Sequence, residues 1–239
     1  MQNDKNFLGT APIGKLLLKL SIPTVIAQLI NMLYNVVDRI YIGHIPGEGS
    51  LALTGVGVCM PIIMIVTAFA ALISSGGAPR ASICMGKQDN KSAEQILGNC
   101  FSLQIAVSIV LTVVLLIWNK DLLMAFGASK NTLGYATDYM CIYALGTLFV
   151  QLTLGMNAFI TAQGFTTTSM VSVLIGAICN ITLDPVFIFV FNMGVKGAAL
   201  ATVLSQAIST IWVVVFLSGK KTQLHLRKKY MGLKPKVFL

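Results

Sequence analysis

Six apolar runs, each long enough to cross a bilayer as a helix, leave this chain few ways to fold. A crossing helix takes about 20 residues, and the runs fall at Leu16–Gly43, Leu51–Gly77, Ile96–Trp118, Tyr135–Thr161, Thr168–Phe191 and Gly197–Leu217. Inside lipid the backbone must satisfy its own polar groups, so a single run of this kind becomes a helix. Charged residues make up only 10% of the chain, against about 25% in an average soluble domain. That is too little charge for a polar coat. The expected fold is therefore an all-α membrane protein, with a six-helix bundle over residues 1–218 and a basic segment, 219–239, read as a solvated tail or linker.

The breaks between runs carry turn chemistry. Pro46-Gly47-Glu48-Gly49 separates the first pair and Asn192-Met193-Gly194 the last, both rich in residues that tolerate turn conformations. Between the second and third runs, the polar stretch Arg80 to Gln95 is long enough for a short amphipathic helix on the membrane surface. Basic residues set the orientation. With the N-terminus inside, thirteen of the 17 Lys and Arg residues fall on the inner side, Lys5, Lys234 and Lys236 among them, and Arg39, Lys120, Lys130 and Lys196 on the outer. Both termini are thus expected in the cytoplasm, with the chain in the cytoplasmic membrane.

Polar residues inside the runs are the candidates for function. No Asp, Glu, Lys or Arg occurs from Tyr139 through Leu183, and then Asp184 stands directly before Pro185 and an apolar Val-Phe-Ile-Phe-Val-Phe. A charge in hydrocarbon costs on the order of 3 kcal/mol on insertion scales, so acids kept there usually line a wet cavity and handle ions or protons. The proline adds a weakened helix and a freed backbone carbonyl. Asn180 lies one turn before Asp184 on the same helix face.

The first run carries Gln28, Asn31, Tyr34, Asn35 and Asp38 within about one third of its circumference, which reads as a cavity wall ending in an acid. Arg39 is next in sequence but points about 100° away. Pro23 allows the same helix to bend. Thr202, Ser205, Gln206 and Ser209 make a polar edge on the sixth run, and Thr153, Asn157 and Thr161 one on the fourth. Counted from the helix ends at 1.5 Å per residue, Asp38, Asp184 and Thr202 share a depth of roughly 8–12 Å below the outer face. Two acids with amide and hydroxyl oxygens suit a proton, because burial favours the neutral carboxyl, or a hard cation such as Na⁺. The residues do not choose between the two. Asp138, at the outer boundary, reads as an interfacial charge.

Other chemistries lack their residues. The five cysteines show no metal-ligand spacing, neither histidine has a ligand-like partner in sequence, and no HExxH, GxSxG or P-loop occurs. The basic tail has only Tyr230 and Phe238 among its charges, a weak case for nucleic acid. Attraction to anionic lipid fits it better.

Several pieces together carry a resemblance. Val37-Asp38-Arg39-Ile40-Tyr41-Ile42-Gly43-His44, Gly76-Gly77-Ala78-Pro79, Asn157 through Gln163-Gly164, Asn180-Ile-Thr-Leu-Asp184-Pro185 and Gly194 through Thr202 stand in one order across nearly the whole chain. The pattern resembles the multidrug and toxic compound extrusion (MATE) family, in particular its bacterial branch related to DNA-damage-inducible F-type proteins. The resemblance implies an antiporter that exports small organic, often cationic, compounds in exchange for H⁺ or Na⁺, with no cofactor beyond that ion. It implies a cation site at Asp38, Asn180, Asp184 and Thr202, with Tyr34, Asn157 and Pro23 in a supporting network or hinge. Family members have about twelve membrane helices in two lobes, so the chain matches one lobe, and a second six-helix lobe becomes the expected partner. A lipid-linked oligosaccharide flippase of the wider superfamily is the alternative, but it would call for several cavity Arg or Lys residues where only Arg39 is available. An intramembrane enzyme or a channel ranks lower still.

Overall fold

A computed structural model describes residues 12–232; Lys5, Lys234 and Lys236 lie outside them. The described residues form seven α-helices: α1 (Ile13–Gly43), α2 (Gly49–Gly86), α3 (Asn90–Ile117), α4 (Asn119–Ala125), α5 (Leu133–Ala162), α6 (Thr166–Pro185) and α7 (Val195–Ser218). A π-helical turn, Val186–Val190, continues α6, and a short 3-10 turn, Lys228–Tyr230, follows α7. Six of these helices are long and apolar enough to cross a membrane. The short α4 was not anticipated; it turns the chain between α3 and α5.

The expected surface helix over Arg80–Gln95 does not form. α2 instead runs on to Gly86, and α3 starts at Asn90. At 38 residues, α2 is about 57 Å long and must protrude beyond a hydrocarbon core of about 30 Å. The turn is closed by Gln88 in the left-handed region, φ 60°, and by Asp89, whose carboxylate accepts the Ser92 amide at 3.0 Å. That N-cap satisfies an end amide of α3, so the polar residues here serve two helix ends. The expected break at Asn192-Met193-Gly194 is present, with φ of 53° at Asn192 and 55° at Gly194.

α5 is the central post. It packs against α2, α3, α6 and α7 and is the most buried of the six spans. Lipid tails give helices no hydrophobic reason to associate, so close backbone approach and interhelical hydrogen bonds must hold them. Both are present. At Gly176 of α6 a Cβ would sit 2.6 Å from Ser209 Oγ of α7, and the Gln151 amide of α5 donates to the Val66 carbonyl of α2 at 2.7 Å. By contrast, α1 stands at the edge, resting mainly on α6, with only Asp38 and Ile42 buried. Leu17, Val25, Leu29, Met32, Leu33 and Val36 are exposed along it. Such an apolar face belongs against lipid or another helical bundle.

Candidate cation site

Asp184 owes its place to the residues around it. Ser172, Gly176, Asn180 and Asp184 recur every four residues and form the buried stripe of α6, one above the other on a single helix face. Pro185 offers no N–H to the carbonyl one turn back, and the helix widens into the π-turn immediately afterwards. Such turns are frequent at functional positions. On α1, Asp38 is the residue that faces this stripe.

The two acids meet. Asp184 is fully buried and Asp38 is 7% exposed, and their carboxyl groups lie within hydrogen-bonding range of each other. Asn180 ties the group together: its amide donates to Asp184 Oδ1 at 3.3 Å and to Thr202 Oγ1 of α7 at 3.4 Å. Tyr139 of α5 is buried beside Thr202, and its ring stacks on Tyr143 with centroids 6.3 Å apart. Four helices, α1, α5, α6 and α7, thus contribute to one cluster about two turns below the same end of the bundle.

Its acceptors outnumber its donors. Asp38 Oδ1, Asp184 Oδ2 and Asn180 Oδ1 are buried with no hydrogen-bond donor on them. An ionised carboxylate only accepts, so two of them side by side call for a proton or a cation between them. The donor set is all oxygen, which suits a hard cation and not a soft transition metal.

Asp38, Asn180, Asp184 and Thr202 therefore come together in space. Tyr34 sits close by, one turn before Asp38 on α1 and within its field. Gln28 does not join them: it is exposed, so the polar stripe read along α1 narrows to its last turns. Arg39 is exposed too, and no cation enters the cluster from that side. Asn157 belongs elsewhere, donating to Ser172 Oγ at 2.6 Å, while Ser209 Oγ donates to the Ser172 carbonyl at 3.0 Å. This second polar knot joins α5, α6 and α7 about two turns away on α6, roughly 12 Å along the axis. Pro23 lies about 22 Å along α1 from Asp38 by helical rise, and α1 runs unbroken through it. Asp138 pairs with Lys196 at 3.4 Å, both half-exposed. Tyr139 escaped the sequence reading, although its position two turns into α5 put it at the depth of the acids.

Multi-pass membrane transporters are the class that this arrangement defines. The chain belongs to the MatE family, whose signature matches residues 23–186. The multidrug export protein MepA of Staphylococcus haemolyticus is 28% identical over 224 residues, covering 94% of this chain and 49% of that protein. MepA of Staphylococcus aureus is 25% identical over 210 residues, 88% of this chain and 46% of the relative. A solved MATE-family multidrug resistance transporter of the MOP superfamily, in its outward-facing conformation, superposes with a TM-score of 0.85 at 25% identity, covering 93% of this chain and 49% of that one. The chain spans about half the length of the curated relatives it matches. Members of the family are transporters, not enzymes.

Proposed function

We propose that this chain is one lobe of a cation-coupled exporter of small organic compounds, and that Asp38 and Asp184 take up the coupling H⁺ or Na⁺. The observation that carries the reading is the buried acid pair, shared between two helices, with one oxygen of each acid lacking a donor. Binding a cation there favours the arrangement that draws α1 onto α6. Release lets α1, the least embedded helix, move away. A ligand shifts such an equilibrium only as far as its affinity for the two arrangements differs. The acids are the groups whose affinity would change most.

The same reading places the ends that bear the α2–α3 and α5–α6 turns in the cytoplasm, because basic residues concentrate there. The acid cluster then lies toward the outer face of the cytoplasmic membrane. A second six-helix lobe completes the path for cargo in the manner of two-repeat transporters.

The test is flux of a fluorescent organic cation in liposomes under an imposed pH or Na⁺ gradient, with the second lobe supplied. Asp184→Asn should abolish gradient-driven export while membrane insertion is retained. Full activity in that variant overturns the assignment. Comparing the two gradients identifies the ion.

A further inference from the structure

The segment after α7 makes a set of buried contacts apart from the acid cluster. Lys220, Lys221, Arg227, Lys228 and Lys229 stand there with no acid, and such a run ordinarily stays solvated. Residues 219–232 instead fold back onto the bundle. Thr222 and Leu224 are buried, Leu226 is nearly so, and the Leu226 amide donates to the Leu217 carbonyl at 2.9 Å.

Two side chains of the bundle receive this segment. Gln163, at the C-terminal end of α5, is 3% exposed. Its Oε1 accepts from Thr222 Oγ1 at 2.7 Å and from the Gln223 and Leu224 amides, each at 2.9 Å. Its own amide is spent on the Phe159 carbonyl at 3.1 Å. Glu94, in the early turns of α3, accepts the His225 amide at 3.3 Å and pairs with Arg227 Nε at 3.1 Å and His225 Nδ1 at 3.4 Å. Beyond them the Tyr230 backbone lies on Gly98, where a Cβ would sit 2.6 Å from the Tyr230 carbonyl oxygen.

We propose that Gln163 and Glu94 are positioning residues that strap segment 222–230 across the ends of α3, α5 and α7, so that this segment forms part of a rigid rim and moves with it. Without the strap the segment would hang from Ser218, free to pivot. With it, residues 222–230 follow any displacement of the ends of α3 and α5. A carboxamide oxygen carrying three donors is an anchor, because releasing it leaves three groups to be satisfied at once.

Only the last step, transmission of movement, rests on the transport reading, and two measurements separate the parts. Hydrogen exchange on the purified full chain reads the strap alone: the 222–226 amides should exchange at least about ten-fold slower than in a free peptide of the same sequence. Gln163→Leu, which fills the space without an acceptor, should release most of that protection. Gln163→Glu, which keeps the acceptor oxygen but loses the donor to Phe159, should retain more of it than Gln163→Leu. Arg227→Ala provides a second variant that leaves the bundle interior untouched and should speed exchange several-fold. Free exchange in the unmodified chain, or equal protection in Gln163→Leu, overturns the strap.

Liposome flux with the second lobe then reads transmission. Gln163→Leu should lower the maximal rate several-fold with half-saturation by the cation unchanged, and Gln163→Glu should restore part of it. A released strap with an unaltered rate overturns the coupling role. An unmodified protein with a protected strap and no export overturns the transport reading and leaves the strap standing.

Discussion

The two ends of the bundle solve opposite hydrogen-bonding problems. At one end, the acid cluster holds three buried oxygens without donors, and the two hydrogen bonds of its Asn180 amide run to 3.3 and 3.4 Å. At the other, a single oxygen of Gln163 accepts three donors at 2.7–2.9 Å. Burying an unsatisfied polar group costs about 1–3 kcal/mol, whereas a completed network stabilises the fold. On the function proposed above, the difference separates a cluster that binds from a strap that holds, and a proton or cation would remove the cluster's deficit. The strap has no deficit left.

The largest effect that can break this comparison lies at the cluster. Asp184→Asn supplies an amide donor next to Asp38 and removes one charge from hydrocarbon. Export should fall by at least about ten-fold, while the unfolding midpoint in detergent stays level or rises, because the buried charge is gone. A large fall in stability instead would mean that Asp184 is part of the scaffold. Gln163→Leu should behave in the reverse sense: three donors lose their acceptor, and stability drops by about 2 kcal/mol. Thermal unfolding of the two variants side by side decides whether the ends differ as described.

Much of this was legible in the residues, and unevenly so. The six spans follow from hydropathy because lipid permits little besides helices. Asp38 and Asp184 stood out by the rarity of acids in such runs, Thr202 by similar depth and Asn180 by its place one turn before Asp184; the family resemblance grouped the four. Depth is one coordinate: it set Asn157 apart toward the cytoplasmic end, but it could not show that Gln28 turns outward or that Asn157 finds Ser172, since both depend on which helices are neighbours. Tyr139 was missed because a tyrosine in an apolar helix carries no charge signal. The strap was missed for a sharper reason. Its lysines read as a solvated tail, while the residues that dock it, Thr222, Leu224 and Leu226, alternate with half-buried ones in an irregular segment. Gln163 and Glu94, its partners, lie 59 and 131 residues away.

A matched pair of substitutions sharpens the contrast at smaller magnitude. Thr→Val preserves shape and removes a hydroxyl. At Thr222 the hydroxyl donates to Gln163 Oε1 at 2.7 Å and approaches the Leu224 carbonyl at 3.0 Å, so Thr222→Val should cost about 1 kcal/mol. At Thr202 the hydroxyl receives one contact of 3.4 Å from Asn180. Thr202→Val should cost less than half as much in stability yet weaken cation binding, read as the shift in unfolding midpoint on adding Na⁺ or lowering pH. Equal losses at the two threonines would erase the distinction between binding and holding ends.

The smallest expected effect sits beside the strap, at the cap of α3. Asp89 accepts from the Ser92 side chain and backbone amide, and these bonds hold its carboxyl below the usual carboxylate range. A group depressed in the folded state stabilises it above the unfolded value, about 4, and loses that contribution as pH falls through the folded value. Asp89→Ala should therefore lower the unfolding midpoint slightly at pH 7 and match the unmodified protein in strong acid. Asp89→Asn, which caps without titrating, should keep its cap at both. Because this cap starts the helix that carries Glu94, an offset in Asp89→Ala that does not change with pH would place the loss in strap packing and not in the carboxylate.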